Sequence, residues 1–156
     1  MEEHATALAD AIEAALPGWV ERSVARTVEG FFGHVDAEVT AAAVEAGRRA
    51  RDDVAPRVRA LLQADIDEQR TTPLSLLRGA VRYPTEVLLG AGVPPVERDQ
   101  LQARLFPEDI YDLAPATFAD VDPSLAEVGL AWGAAKAYVH LQRHGRGPSR
   151  RTGERA

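Results

Sequence analysis

His140 and His144 stand four residues apart in a segment with helical apolar spacing, so one helix face can carry both imidazoles. A pair at that spacing can share one metal ion. A zinc site also needs a third protein ligand, and a catalytic one usually needs a carboxylate base. Leu141 stands where the glutamate of a helical zinc-protease motif would be, and His144 lies at the helix end. Spacing alone therefore assigns no metal ligand and no cofactor. Lys136, the one lysine in the chain, lies four residues before His140. Together they could contact an anionic ligand. The simpler expectation is that the lysine stem reaches the surface and its ammonium pairs with a carboxylate.

Arg78 and Arg82 are also four apart and are followed by Tyr83. Two guanidiniums on one face could grip a phosphate or a carboxylate-rich partner. The favoured expectation is internal pairing with Asp65, Asp67 or Glu68. Residues 106–113, Phe-Pro-Glu-Asp-Ile-Tyr-Asp-Leu, mix aromatics with acids. Phe106 and Tyr111 with Asp109 would form a docking surface if exposed, because aromatic anchors with a charged rim are what interfaces use. If they point inward, the segment is a loop seal. Both readings stay open.

Other motifs fail. Asp65-Ile66-Asp67-Glu68 resembles the start of a calcium loop, but Gln69 and Arg70 replace the next oxygen ligand and the turn glycine. Gly90-Ala91-Gly92 precedes Val93-Pro94-Pro95, so it reads as a helix stop rather than a dinucleotide fingerprint. Ser23, Ser75, Ser124 and Ser149 are the only serines, and none sits in a nucleophile elbow. Among 24 acids nothing singles out a catalytic pair. No catalytic residue is assigned.

The elements that must position these groups are all helical. Leu8, Ile12 and Leu16 mark a first helix over about 4–16, ended by Pro17-Gly18. A second begins near Trp19, with Val20, Val24, Val28, Phe31 and Phe32 on its inner stripe. Asp36 is the expected N-cap of the longest helix, about 37–70, which Pro56 should kink or split. Its inner face is Ala43, Gly47, Ala50, Val54, Val58, Leu61 and Ile66. From residue 71 the helices shorten and prolines joint them. Thr72-Pro73 opens one to about Arg82, and Pro84 opens another to Gly90 or Gly92. Another covers about 96–105 with Leu101 and Leu105 inward. Residues 113–122 read as loop with room for one helical turn, and Asp122-Pro123 opens the last helix, about 123–143.

That last helix has two apolar lobes. Val128, Trp132, Ala135 and Val139 make one, and Leu130, Ala134, Ala137 and Leu141 the other. A helix apolar on two sides is expected between neighbours. Gly129, Gly133 and Ala137 add a ridge of small residues that would admit a close backbone.

The 156 residues contain no cysteine, which excludes disulfide scaffolds, cysteine metal sites and thiol catalysis and fits a reducing cytoplasm. The acidic start Met1-Glu2-Glu3-His4, with no apolar core after it, leads us to expect no secretory signal. The longest apolar-plus-glycine run, Val87 to Val93, is far short of the roughly 20 residues that span a bilayer. The formal charge is −6. Residues 143–156 carry +4 and the remainder −10, so the body should repel nucleic acid and anionic lipid. The expected organisation is an all-α single-domain helical bundle over 1–144 and a disordered basic tail over 145–156.

Thr71-Thr72-Pro73-Leu74, Arg82-Tyr83-Pro84-Thr85-Glu86, Val93 to Asp99 and Gly129 to Lys136 together resemble a family of small uncharacterised actinobacterial proteins, over roughly residues 65–142. The resemblance implies no activity, cofactor or catalytic residue. The leading expectation is a non-enzymatic cytoplasmic interaction or regulatory protein, with a protein partner on the 78–113 surface or the Lys136 face, and with a homodimer left open. A second is a small enzyme or carrier that binds an anionic ligand between the last helix and residues 78–111. The candidate binding residues are Arg78, Arg82, Tyr83, Asp109, Tyr111, Trp132, Lys136 and His140. A third is weak nucleic-acid binding through the basic tail, residues 143–156 carrying five arginines.

Overall fold

A computed structural model describes residues 1–145; the basic tail expected from residue 145 lies, apart from Gly145, outside the described residues. The described residues form an all-α fold without strands. In chain order the helices are α1 (Glu2–Phe32), α2 (Ala37–Gln63), α3 (Pro73–Gly79), α4 (Arg82–Gly90), α5 (Gln100–Leu105), α6 (Phe118–Val121) and α7 (Leu125–His144). A 3-10 turn, Ile66–Glu68, follows α2.

Pro17 does not end the first helix. It lies inside α1, a single helix of 31 residues that includes both helices expected from the sequence. Leu8, Ile12, Leu16, Val20, Val24 and Val28 are all buried, so the apolar stripe crosses the proline without losing its neighbours. Burial on both sides outweighs the roughly 3 kcal/mol that an internal proline costs. Phe31 and Phe32, expected on the inner stripe, are exposed at the helix end. Gly33 then closes α1 in the left-handed conformation, φ 81°, and its N–H donates to the Glu29 carbonyl at 2.7 Å.

Asp36 caps α2 as expected, its carboxylate accepting from the Val39 N–H at 2.8 Å. Pro56 stays inside α2 and does not split it. The helix stops at Gln63, not near 70, because Ala64 and Asp65 turn to extended and more open backbone. Asp65 instead caps the 3-10 turn, accepting from the Asp67 N–H at 3.0 Å. Leu62 takes the buried place expected for Leu61, and Ile66 is only half-buried.

α1 and α2 run antiparallel, since Arg59 pairs with Asp10 and Glu13 near one end while Val28 and Ala43 share a core cluster near the other. Between these points Gly47 packs on the backbone of Pro17. A Cβ at 47 would lie 2.9 Å from the Pro17 carbonyl oxygen. Buried Ala43, Ala46 and Ala50 continue that close seam. α4 covers both long helices, α3 packs on α2, and α7 lies along α1. The main core joins Leu8, Ile12 and Leu16 to Val54 and Val58, and to Leu125 and Trp132 of α7.

The proline-jointed region follows its capping chemistry. Thr72 Oγ1 accepts from the Ser75 N–H at 3.1 Å, and Pro73 opens α3. α3 stops at Gly79 rather than Arg82, and Arg82 itself begins α4. α5 is only six residues long, capped by Asp99. Leu101 and Leu105, expected inward, are exposed. Arg98 donates to the Gln102 and Phe106 carbonyls at 2.7 Å each, so this arm is tied largely to itself. No helix among the described residues is long and apolar enough to cross a membrane.

Candidate functional site

The expected residues do not converge on one pocket. Arg82 Nη2 meets the Asp53 carboxylate at 2.7 Å and also donates to the Tyr83 hydroxyl, which in turn donates to Asp53. The phenol is held above its usual range by burial first, and by the hydrogen bond it donates to the Asp53 carboxylate. Asp53 is held below the carboxylate range, chiefly by that same hydrogen bond. Arg78 donates to the Pro115 carbonyl at 3.1 Å and ties α3 to the loop before α6. The arginines do pair internally, but not with the acids the sequence suggested. Asp53 was missed because an alternating charged helix face offers many equivalent acids.

Asp109 is only 4% exposed, and its carboxylate accepts the Leu113 N–H at 2.7 Å and the Ala114 N–H at 2.8 Å. Tyr111 is buried and donates to the Val93 carbonyl. These two residues seal the loop. Phe106 points out and joins exposed Val96, Leu101 and Leu105 on the α5 arm. A hollow of about 160 Å³ beside Arg78 is lined by Arg98, Phe106, Asp109 and neighbouring loop residues, with none from α7.

Lys136 Nζ donates to Gln69 Oε1 at 2.9 Å, not to a carboxylate, and lies 5.1 Å from the Trp132 ring centre. The ring's negative face favours that position. The Trp132 indole N–H is buried without a hydrogen-bond partner.

Two features of α7 stand apart. The first is at its C-terminal end. Arg143 bridges Asp65 at 2.7 Å and Asp67 at 3.1 Å, and His144 Nε2 lies 2.9 Å from Asp67 Oδ1. The Arg143 contact holds Asp65 below the usual carboxylate range, and the His144 contact does the same for Asp67. His140 joins this group, its ring 4.9 Å from that of His144. Ligand atoms of Asp67, His140 and His144 all lie within 4.8 Å of one another. Asp67 is thus the third oxygen or nitrogen donor that the histidine spacing lacked. It is 77 residues from His144 in the chain, so no local pattern signals it.

The second feature is the outer face of α7. The Trp132 lobe is inward, but Leu130, Ala134, Ala137 and Leu141 are all exposed. The helix is therefore peripheral rather than sandwiched, a correction to its expected central place. The two-lobed pattern marks one side that meets α1 and one that meets nothing among the described residues. Leu130 is 75% exposed, and Tyr138 and Leu141 are each 64% exposed. Of the small-residue ridge, only Gly129 meets a neighbour, the Phe118 ring; Gly133 has no atom near its absent Cβ. No protein-family model, curated protein or solved structure matches the chain.

Proposed function

We propose that this is a non-enzymatic helical interaction protein, that it works through the outer face of α7, and that a second copy of the chain is the first occupant of that face. The observation that carries this reading is the exposed row Leu130, Ala134, Ala137, Leu141, with Tyr138 beside it. Its spacings of four, three and four residues read the same in both directions. An antiparallel copy would set Leu130 against the partner's Leu141 and Ala134 against the partner's Ala137. That is the self-complementary arrangement a two-fold axis requires. The alanines at the centre allow close helix approach, and the leucines close each end. Exposed apolar side chains in a continuous row mark an interaction surface, whereas single ones do not.

One helix per copy buries less than the roughly 800 Å² per partner of a standard interface, so association in the micromolar range is expected. A cysteine-free chain with an acidic body supports a reducing, cytoplasmic setting. Sedimentation equilibrium tests the reading. The parent should approach twice 16.8 kDa, while Leu130→Glu or Leu141→Glu should stay at 16.8 kDa with unchanged helicity. A parent that remains monomeric up to about 1 mM, the weak end of specific association, would overturn it. So would a dimer indifferent to both substitutions.

A further inference from the structure

We propose that His140, His144 and Asp67 form a binding site for a divalent transition-metal ion of the zinc class. The donors are two imidazoles on successive turns of α7 and one carboxylate from the 3-10 turn after α2. Imidazole with carboxylate suits zinc, nickel and copper, and three protein ligands leave a position for water. Metal bonds of about 2.0–2.1 Å place tetrahedral ligand atoms roughly 3.3 Å apart. His144 Nε2 and Asp67 Oδ1 stand at 2.9 Å, and the widest separation in the set is at most 4.8 Å. All three side chains are exposed, so small side-chain rotations close the remaining gap without moving a core.

Asp65, Asp67 and Glu68 stand on the turn, opposite Arg143 and with Lys136 and Arg70 nearby, so the local charges are close to balanced and the donor set itself selects the ion. The C-terminal end of α7 adds the negative pole of the helix dipole. Arg143 engages Asp67 through Oδ2 and leaves Oδ1 facing His144, so it orients the ligand carboxylate much as outer-shell partners do in metal sites. His140 and His144 lie at the C-terminal end of α7, and the three donors come from one copy of the chain. A bound ion would pin the end of α7 to the 3-10 turn.

Cobalt(II) titration of the full, untagged chain followed by visible absorption tests this directly. One equivalent should bind, produce the ligand-field bands of a low-coordinate site and be displaced by zinc. His140→Ala, His144→Ala and Asp67→Asn should each weaken binding by more than the roughly 10–100-fold typical of losing an outer-shell partner. The other two histidines, His4 and His34, provide the control: His4→Ala with His34→Ala should bind as the parent does. Circular dichroism checks that each variant is folded, and Asp67→Asn keeps an oxygen for Arg143. Absence of saturable binding by the parent overturns the site. Undiminished affinity in Asp67→Asn also overturns it, because a bare histidine pair would then suffice.

Discussion

The α1–α2 seam and the outer face of α7 are built from the same ingredients. Both combine large aliphatic residues at helical spacing with glycine and alanine between them. In the seam, Gly47 meets the backbone of Pro17, and Ala43, Ala46 and Ala50 are buried. On α7, Gly133 meets nothing within 4 Å, and Ala134 and Ala137 face outward between exposed leucines. A small-residue stripe therefore permits close approach but does not say what approaches. The seam is filled because the turn at residues 33–36 brings α2 back along α1. The outer face of α7 has no such return, since the helix is the last element described.

The largest expected contrast is in the core. Leu16→Ala, which empties a fully buried place in the seam, should cost about 2–5 kcal/mol in denaturant unfolding. Leu130→Ala and Leu141→Ala on the exposed face should change monomer stability by less than about 0.5 kcal/mol. A comparable loss at Leu130 would show that the face is already packed.

The next contrast is between glycines. Gly47→Ala places a Cβ 2.9 Å from a backbone oxygen that cannot rotate away, and should destabilise by about 1–3 kcal/mol. Gly133→Ala meets open space and should stabilise α7 by about 0.8–1.0 kcal/mol, the helix-propensity difference. Equal effects of one sign would erase the distinction between the two stripes.

Asp109→Ala should cost about 1–3 kcal/mol, because it strands the Leu113 and Ala114 N–H groups in a part-buried loop. Asp112→Ala, an exposed neighbour at φ 59°, should cost less. Thermal melts of the two variants compare a sealing acid with a surface one.

The smallest effect concerns pH. Asp120 accepts the Ala116 and Thr117 N–H groups at 2.9 Å each, and the Thr117 contact first holds its carboxyl below the usual carboxylate range. A depressed folded-state value means that its contribution is complete above the unfolded value and is lost as pH falls through the folded one. Melting temperatures of parent and Asp120→Ala should therefore differ at about pH 6 and converge only as pH falls below the ordinary carboxylate range. A gap that persists at the lowest pH would assign the effect to side-chain packing instead.

Much of the fold was legible in residue types. The helical class, the Asp36 and Thr72 caps and the jointing by proline all follow from local chemistry. Pro17 and Pro56 were misleading because their cost is local, whereas the burial that overrides it comes from helices distant in sequence. Leu101 and Leu105 repeat like core residues, yet their six-residue helix is held on an arm with no neighbour to face. At the candidate sites, the histidine pair and both lobes of α7 were visible. Asp67, the sealing role of Asp109 and the Asp53 partner of Arg82 were not, because each depends on a backbone turn or a tertiary contact rather than on spacing.

On the proposed reading, the outer row of α7 is an antiparallel seam between two copies. A chain without cysteine allows a direct test by single-cysteine crosslinking. With a rise of 1.5 Å per residue, positions 134 and 137 lie about 2 Å to either side of the two-fold axis. Ala134→Cys and Ala137→Cys should each form a disulfide-linked dimer under mild oxidation, and should do so faster than Glu29→Cys on the exposed end of α1. Crosslinking no faster at 134 and 137 than at 29 would rule out an antiparallel seam on this face.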